Sequence, residues 1–196
     1  DPDKIYKEAR KAEGDDSNTD GPGLLGGGVL AKLKGLVVAP LQQLSFWKMK
    51  ERACKIGESG GNGLLRELQS AARSTTRFHL MGHSFGCIVV SAAVTGPPGG
   101  SSPARAIDSL FLVQGALSLW SYCADIPNAP GFAGYFNRIL AASLVKGPML
   151  TTRSTHDSAI GKLYPKAAGL AGQFVLDVDL PKYGGLGTFG ARGLGA

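Results

Sequence analysis

Ser84 stands between two glycines in the run Arg77-Phe78-His79-Leu80-Met81-Gly82-His83-Ser84-Phe85-Gly86-Cys87-Ile88-Val89-Val90. An apolar strand, a tight turn and a buried helix, in that order, form the G-x-S-x-G arrangement. It holds a serine on a strained strand-to-helix corner, with the hydroxyl projecting above the sheet edge. Gly82 and Gly86 are expected to answer a steric demand, because a side chain at either place collides across so sharp a turn. The following helix brings its N-terminal N–H groups to the corner, first that of Phe85, where they can hold an oxyanion. His83 is expected to turn its ring away from the hydroxyl and to shape the pocket wall. The competing reading of Ser84 is a helix N-cap, the usual task of a serine ahead of an apolar helical run.

A serine so placed needs a sheet beneath it, and the flanking periodicities predict one. Phe46, Met49, Ala53 and Ile56 recur on one helical face, with Lys48, Glu51, Arg52 and Lys55 opposite. Leu64, Leu65, Leu68, Ala71 and Ala72 predict a second amphipathic helix just before the elbow strand. Short apolar runs at Ser109 to Val113, opening on Gln114-Gly115, and at Gly147 to Thr152, opening on Arg153-Ser154-Thr155-His156-Asp157, read as further strands. Strands alternating with helices predict an α/β fold with a parallel sheet. Functional groups in such sheets gather beyond the carboxyl ends of the strands, where Ser84 and Asp157 both fall.

From about residue 40 to residue 190 the chain resembles serine hydrolases of the α/β-hydrolase superfamily, in particular a type with a G-H-S-F-G elbow. Phe46-Trp47-Lys48-Met49-Lys50, Arg77 to Gly86, Gly147-Pro148 ahead of Thr151-Thr152, and Tyr164-Pro165 carry the resemblance. It implies a mostly parallel sheet with helices on both faces, an elbow serine, an acid after a later strand and a histidine nearer the C-terminus. It implies no substrate.

Asp157 fits the acid by following a predicted strand downstream of the serine, in the chain order serine, acid, histidine. A buried carboxylate there orients the imidazole and stabilises the imidazolium formed as the serine proton leaves. The alternative is a cap on Ser158 to Leu163. The histidine breaks the pattern, since the chain holds His79, His83 and His156 and none follows Asp157. His79 is expected to be a core residue of the elbow strand. His156 lies in the right loop but adjoins its own orienting carboxylate, which disfavours triad geometry. Two explanations stand beside it: a piece of a longer hydrolase whose histidine lies beyond Ala196, or an inactive relative. A piece lacking outer strands is expected to aggregate or pack loosely, and one lacking the base is expected to react weakly or not at all with a fluorophosphonate.

Composition sets the remaining bounds. The 196 residues, 43% hydrophobic, suit one globular domain. Residues 1–30 form an acidic, glycine-rich arm of net charge −3, and 31–196 form the hydrolase-like body, of net charge +9. Its glycine-rich tail, 184–196, is expected to be loose. The basic excess reads as a solvated helix face over Lys48 to Lys55, so no nucleic-acid partner is expected. The apolar stretch Leu24 to Trp47 is broken by Lys32, Lys34 and Pro40, which argues against a transmembrane segment. Cys54, Cys87 and Cys123 are too few and too scattered for a disulfide framework or a metal site, and Cys54 and Cys87, on predicted helix interiors, are expected to be reduced, which points to the cytoplasm. Gly185-Leu186-Gly187-Thr188-Phe189-Gly190 matches G-x-G-x-x-G, but no helix and ribose-binding acid can follow it, so no nucleotide cofactor is expected. The chain therefore reads as a carboxylic-ester hydrolase acting on a small-molecule acyl substrate without cofactor. Catalysis would use Ser84 as nucleophile, Asp157 as acid, Phe85 N–H in the oxyanion hole and His156 as candidate base. The alternative is a non-enzymatic module of the same fold that binds a partner or an apolar ligand.

Overall fold

The computed structural model describes residues 46–100, 103–127, 129–156 and 184–194. Two compact units divide the chain, Asp1–Lys48 and Met49–Ala196, and the fold described here is that of the second. Helix α1 covers residues 46–56 and runs through a π turn, Gly57–Gly61, into α2, Asn62–Ala71. Strand β1, His79–His83, leads into α3, Gly86–Thr95, and then come β2, Ser109–Val113, and the short α4, Arg138–Ala141. Strand β3, Met149–Thr152, and a last turn of helix, α5, Leu186–Phe189, complete the series. The strands form one parallel sheet in the order β1-β2-β3. The chain is thus of the α/β class, with a small sheet.

Helix α3 is the centre of the packing. Its run Cys-Ile-Val-Val-Ser-Ala-Ala-Val is apolar on every side, and a helix of that kind is stable only when surrounded. It lies against β1 on one side and against the π turn on the other. Gly57 makes the second contact possible: a Cβ there would stand 2.4 Å from Val89 O and 2.5 Å from the Ala92 Cβ. Leu110 and Leu112 of β2 bury their side chains in the same core with Ile107, Ile139 and Leu186.

Both amphipathic stripes differ from their sequence expectation. Ala53 is buried as its place in the stripe predicts, but Met49 and Ile56 are exposed, and Gly57 of the π turn is buried after them. On α2, Leu65 is buried as expected, but Leu64, Leu68 and Ala71 are exposed, and Asn62 and Gln69 are buried in their place. The cause is hydrogen bonding at long range. Asn62 Nδ2 donates to Ala93 O at 2.7 Å, and Gln69 Nε2 donates to Arg105 O at 2.8 Å, so these amides satisfy carbonyls of neighbouring segments. His79 is exposed rather than core, with Nδ1 2.7 Å from Ser109 Oγ across the β1–β2 pair. Residues 184–188 are buried, not loose: Leu119 N–H donates to Gly184 O, and Leu186 N–H donates to Leu117 O at 2.7 Å.

A buried polar chain ties α3 to the segment after β2. Ser91 Oγ donates to Cys87 O at 2.6 Å, so the Tyr122 hydroxyl, 2.5 Å away, is the donor to Ser91. Burial keeps that phenol protonated. Ser91→Ala strands a buried hydroxyl and is expected to cost about 1–3 kcal/mol, whereas Tyr122→Phe removes it and is expected to cost about 1 kcal/mol. Urea melts of the two variants check the order.

Candidate active site at the carboxyl edge of the sheet

Ser84 sits at the corner between β1 and α3 with φ 54°, in the left-handed region that a serine rarely enters. Its backbone is clasped by the end of β2 and the turn after it: Ser84 N–H donates to Val113 O at 3.0 Å, and Ala116 N–H donates to Ser84 O at 3.1 Å. The residue at the N-cap of α3 is Phe85, and no side chain caps the helix. The capping reading of Ser84 is therefore overturned: the N-cap position falls on Phe85, and no side-chain hydrogen bond caps the helix. Among the described residues the Ser84 hydroxyl makes no hydrogen bond, and the residue is half-buried. Phe85 is αR at φ −62° and opens the first turn of α3 beside it.

The two elbow glycines differ. A Cβ on Gly82 would stand 2.4 Å from both the carbonyl carbon and oxygen of Gly86 and 2.6 Å from Cys87 N. A Cβ on Gly86 meets nothing within 4 Å, so the expected collision there is corrected: the close approach is one-sided. Gly82 faces into the turn, and the Cβ direction of Gly86 leads out of it. Behind the corner the Cys87 thiol lies 3.1 Å from Gly82 O, and burial pushes its pKa up to about 11. At neutral pH that sulfur is a protonated, space-filling donor rather than a nucleophile.

Because the strands are parallel, their carboxyl ends share one edge. His83, Val113 and Thr152 occupy one register row, and the next residue on each strand is Ser84, Gln114 and Arg153. With adjacent strands about 4.8 Å apart, Ser84 and Arg153 stand about 10 Å apart across Gln114. His156, four residues beyond β3, is exposed at this edge, and its backbone N–H donates to Ser154 Oγ at 3.2 Å. His83 is exposed at the end of β1. Asp157 lies outside the described residues. The α5 segment returns to the same edge, where Gly187 N–H donates to Gly115 O at 3.0 Å and Gly187 O accepts from Ser154 N–H at 2.8 Å. Below it, Leu112, Met149, Thr151, Leu186, Ala191 and Leu194 bound an apolar pocket beside β3.

Gln114, which sequence reasoning assigned no role, has φ 46° and so repeats the strained geometry of Ser84 one strand away. Its signal in the sequence is slight: a polar residue immediately after an apolar strand, ahead of a glycine. Among the described residues no cluster of three acidic, histidine or cysteine side chains is arranged to hold a metal, and no helix is long and apolar enough to cross a membrane. The three cysteines are free thiols. Compared with known proteins, the chain matches no family model, no curated protein and no solved structure.

Proposed function

We propose that this chain is a serine hydrolase of α/β-hydrolase type that cleaves carboxylic esters through an acyl-enzyme on Ser84. The strained φ of Ser84, combined with a hydroxyl that makes no hydrogen bond among the described residues, carries the reading. A protein meets the cost of a left-handed serine, about 1–3 kcal/mol, where the turn serves a purpose. In the reaction, Ser84 Oγ attacks the ester carbonyl and gives up its proton. The oxyanion then forms against the Phe85 N–H at the start of α3. Collapse expels the alcohol, which takes the proton, and water releases the acid. Asp157 is the orienting acid and His156 the candidate base of this reading.

The test is hydrolysis of p-nitrophenyl butyrate by the wild type, Ser84→Ala and His156→Ala proteins. Ser84→Ala is expected to reduce the protein-dependent rate to background. A loss of about 10²-fold or more on His156→Ala assigns it the proton transfer. A rate that survives this change removes His156 from the proton transfer. Hydrolysis that persists in Ser84→Ala sinks the reading. The apolar pocket beside β3 supports a second reading, a module that binds an apolar ligand without chemistry. A folded protein without Ser84-dependent turnover that takes up a fluorescent fatty acid favours it.

A further inference from the structure

Gln114 and Arg153 extend the row that begins at Ser84. A glycine or an asparagine would turn the end of β2 at positive φ with less strain than glutamine. The glutamine is nevertheless held there, because Gln114 N–H donates to Thr152 Oγ1 at 3.1 Å while Val113 O and Ala116 N–H on either side bind Ser84. These bonds fix the backbone and leave the half-buried side-chain amide without a hydrogen-bond partner among the described residues. One strand further, Arg153 is exposed. Its stem lies beside Gly190, whose absent Cβ would be 3.4 Å from the Arg153 Cδ. Among the described residues its guanidinium pairs with no carboxylate.

We propose that Gln114 and Arg153 are the specificity-determining residues of the Ser84 site and select an ester whose acyl part carries a carboxylate. The proposal rests on the hydrolase reading above. With the scissile carbonyl over Ser84, an extended acyl chain runs along the carboxyl edge, past the donor amide of Gln114, to the planar guanidinium of Arg153. That group matches a carboxylate with two parallel hydrogen bonds. The net charge of +6 adds a field that concentrates anions.

The experiment compares kcat/KM for mono-p-nitrophenyl glutarate with that for the uncharged p-nitrophenyl valerate, with Ser84→Ala as blank. The wild type is expected to favour the glutarate ester by about 10-fold or more. Arg153→Gln is expected to bring the ratio to about one through KM, and Arg153→Glu to invert it. Lys55→Gln, which removes the same charge from the exposed side of α1, is expected to keep the wild-type ratio. Gln114→Gly is expected to raise the melting temperature by about 2–4 °C and to raise KM for the glutarate ester about tenfold. Ser84-dependent hydrolysis without preference, or a Gln114→Gly protein that is stabilised with its KM intact, overturns this inference alone. Absence of Ser84-dependent hydrolysis of either ester overturns the hydrolase reading with it.

Discussion

Ser84→Gly is expected to give a protein that is more stable than the wild type and inert towards esters. At φ 54° a serine is strained and a glycine is not, so the substitution releases about 1 kcal/mol. On the proposed hydrolase reading the same change removes the nucleophilic oxygen, a loss expected to cost about 10³-fold or more in rate. Ser84→Ala separates the two effects. Alanine keeps a Cβ at the left-handed position and so keeps the strain, while the rate falls as far. A thermal melt and a p-nitrophenyl ester assay on the three proteins check the pair. A destabilised Ser84→Gly protein would mean that the corner does not hold the serine against its own preference.

Gly82→Ala is expected to break the corner itself. The added methyl stands 2.4 Å from the Gly86 carbonyl group, and both partners are backbone, with no flexible side chain to swing aside. Either β1 or the first turn of α3 must move, at a cost of about 1–3 kcal/mol. That movement also shifts Ser84, the Phe85 N–H and the Cys87 thiol, which bonds to Gly82 O. Stability and ester hydrolysis should therefore fall together. Gly86→Ala is the control, since open space awaits its Cβ and alanine favours a helix by about 1 kcal/mol over glycine. Equal tolerance of the two substitutions in a melt would contradict the one-sided packing of the turn.

The strand pattern and the elbow were legible because each has a local cause. Phe78 and Leu80 lead into a turn whose two glycines, and the apolar run behind them, are visible within fourteen residues, and β2 falls on Ser109–Val113 as its apolar run predicts. The helical faces were less legible. Hydropathy assigns Leu64 and Leu68 to the core, yet α2 turns Asn62 and Gln69 inward to meet Ala93 O and Arg105 O, more than thirty residues away. No local pattern records such a bond. The exposure of His79 follows from its place on the face of β1 opposite Gly82, a matter of which face is packed. Gln114 escaped for a further reason. Its distinguishing feature is a backbone angle imposed by Thr152 and by its neighbours' bonds to Ser84, and a glutamine after a strand carries no hydropathy trace of that.

The most direct measurement is peptide mapping by mass spectrometry after prolonged exposure of the folded chain to a fluorophosphonate, with a parallel sample in denaturant. Even where the base is missing, an oxyanion site retains about 10³–10⁴-fold of catalysis over water. Slow phosphonylation of Ser84 alone among the serines is therefore expected in the folded protein, and none in the denatured one. An unmodified Ser84, or modification spread equally over exposed serines such as Ser59 and Ser70, would contradict a nucleophilic role for the strained corner.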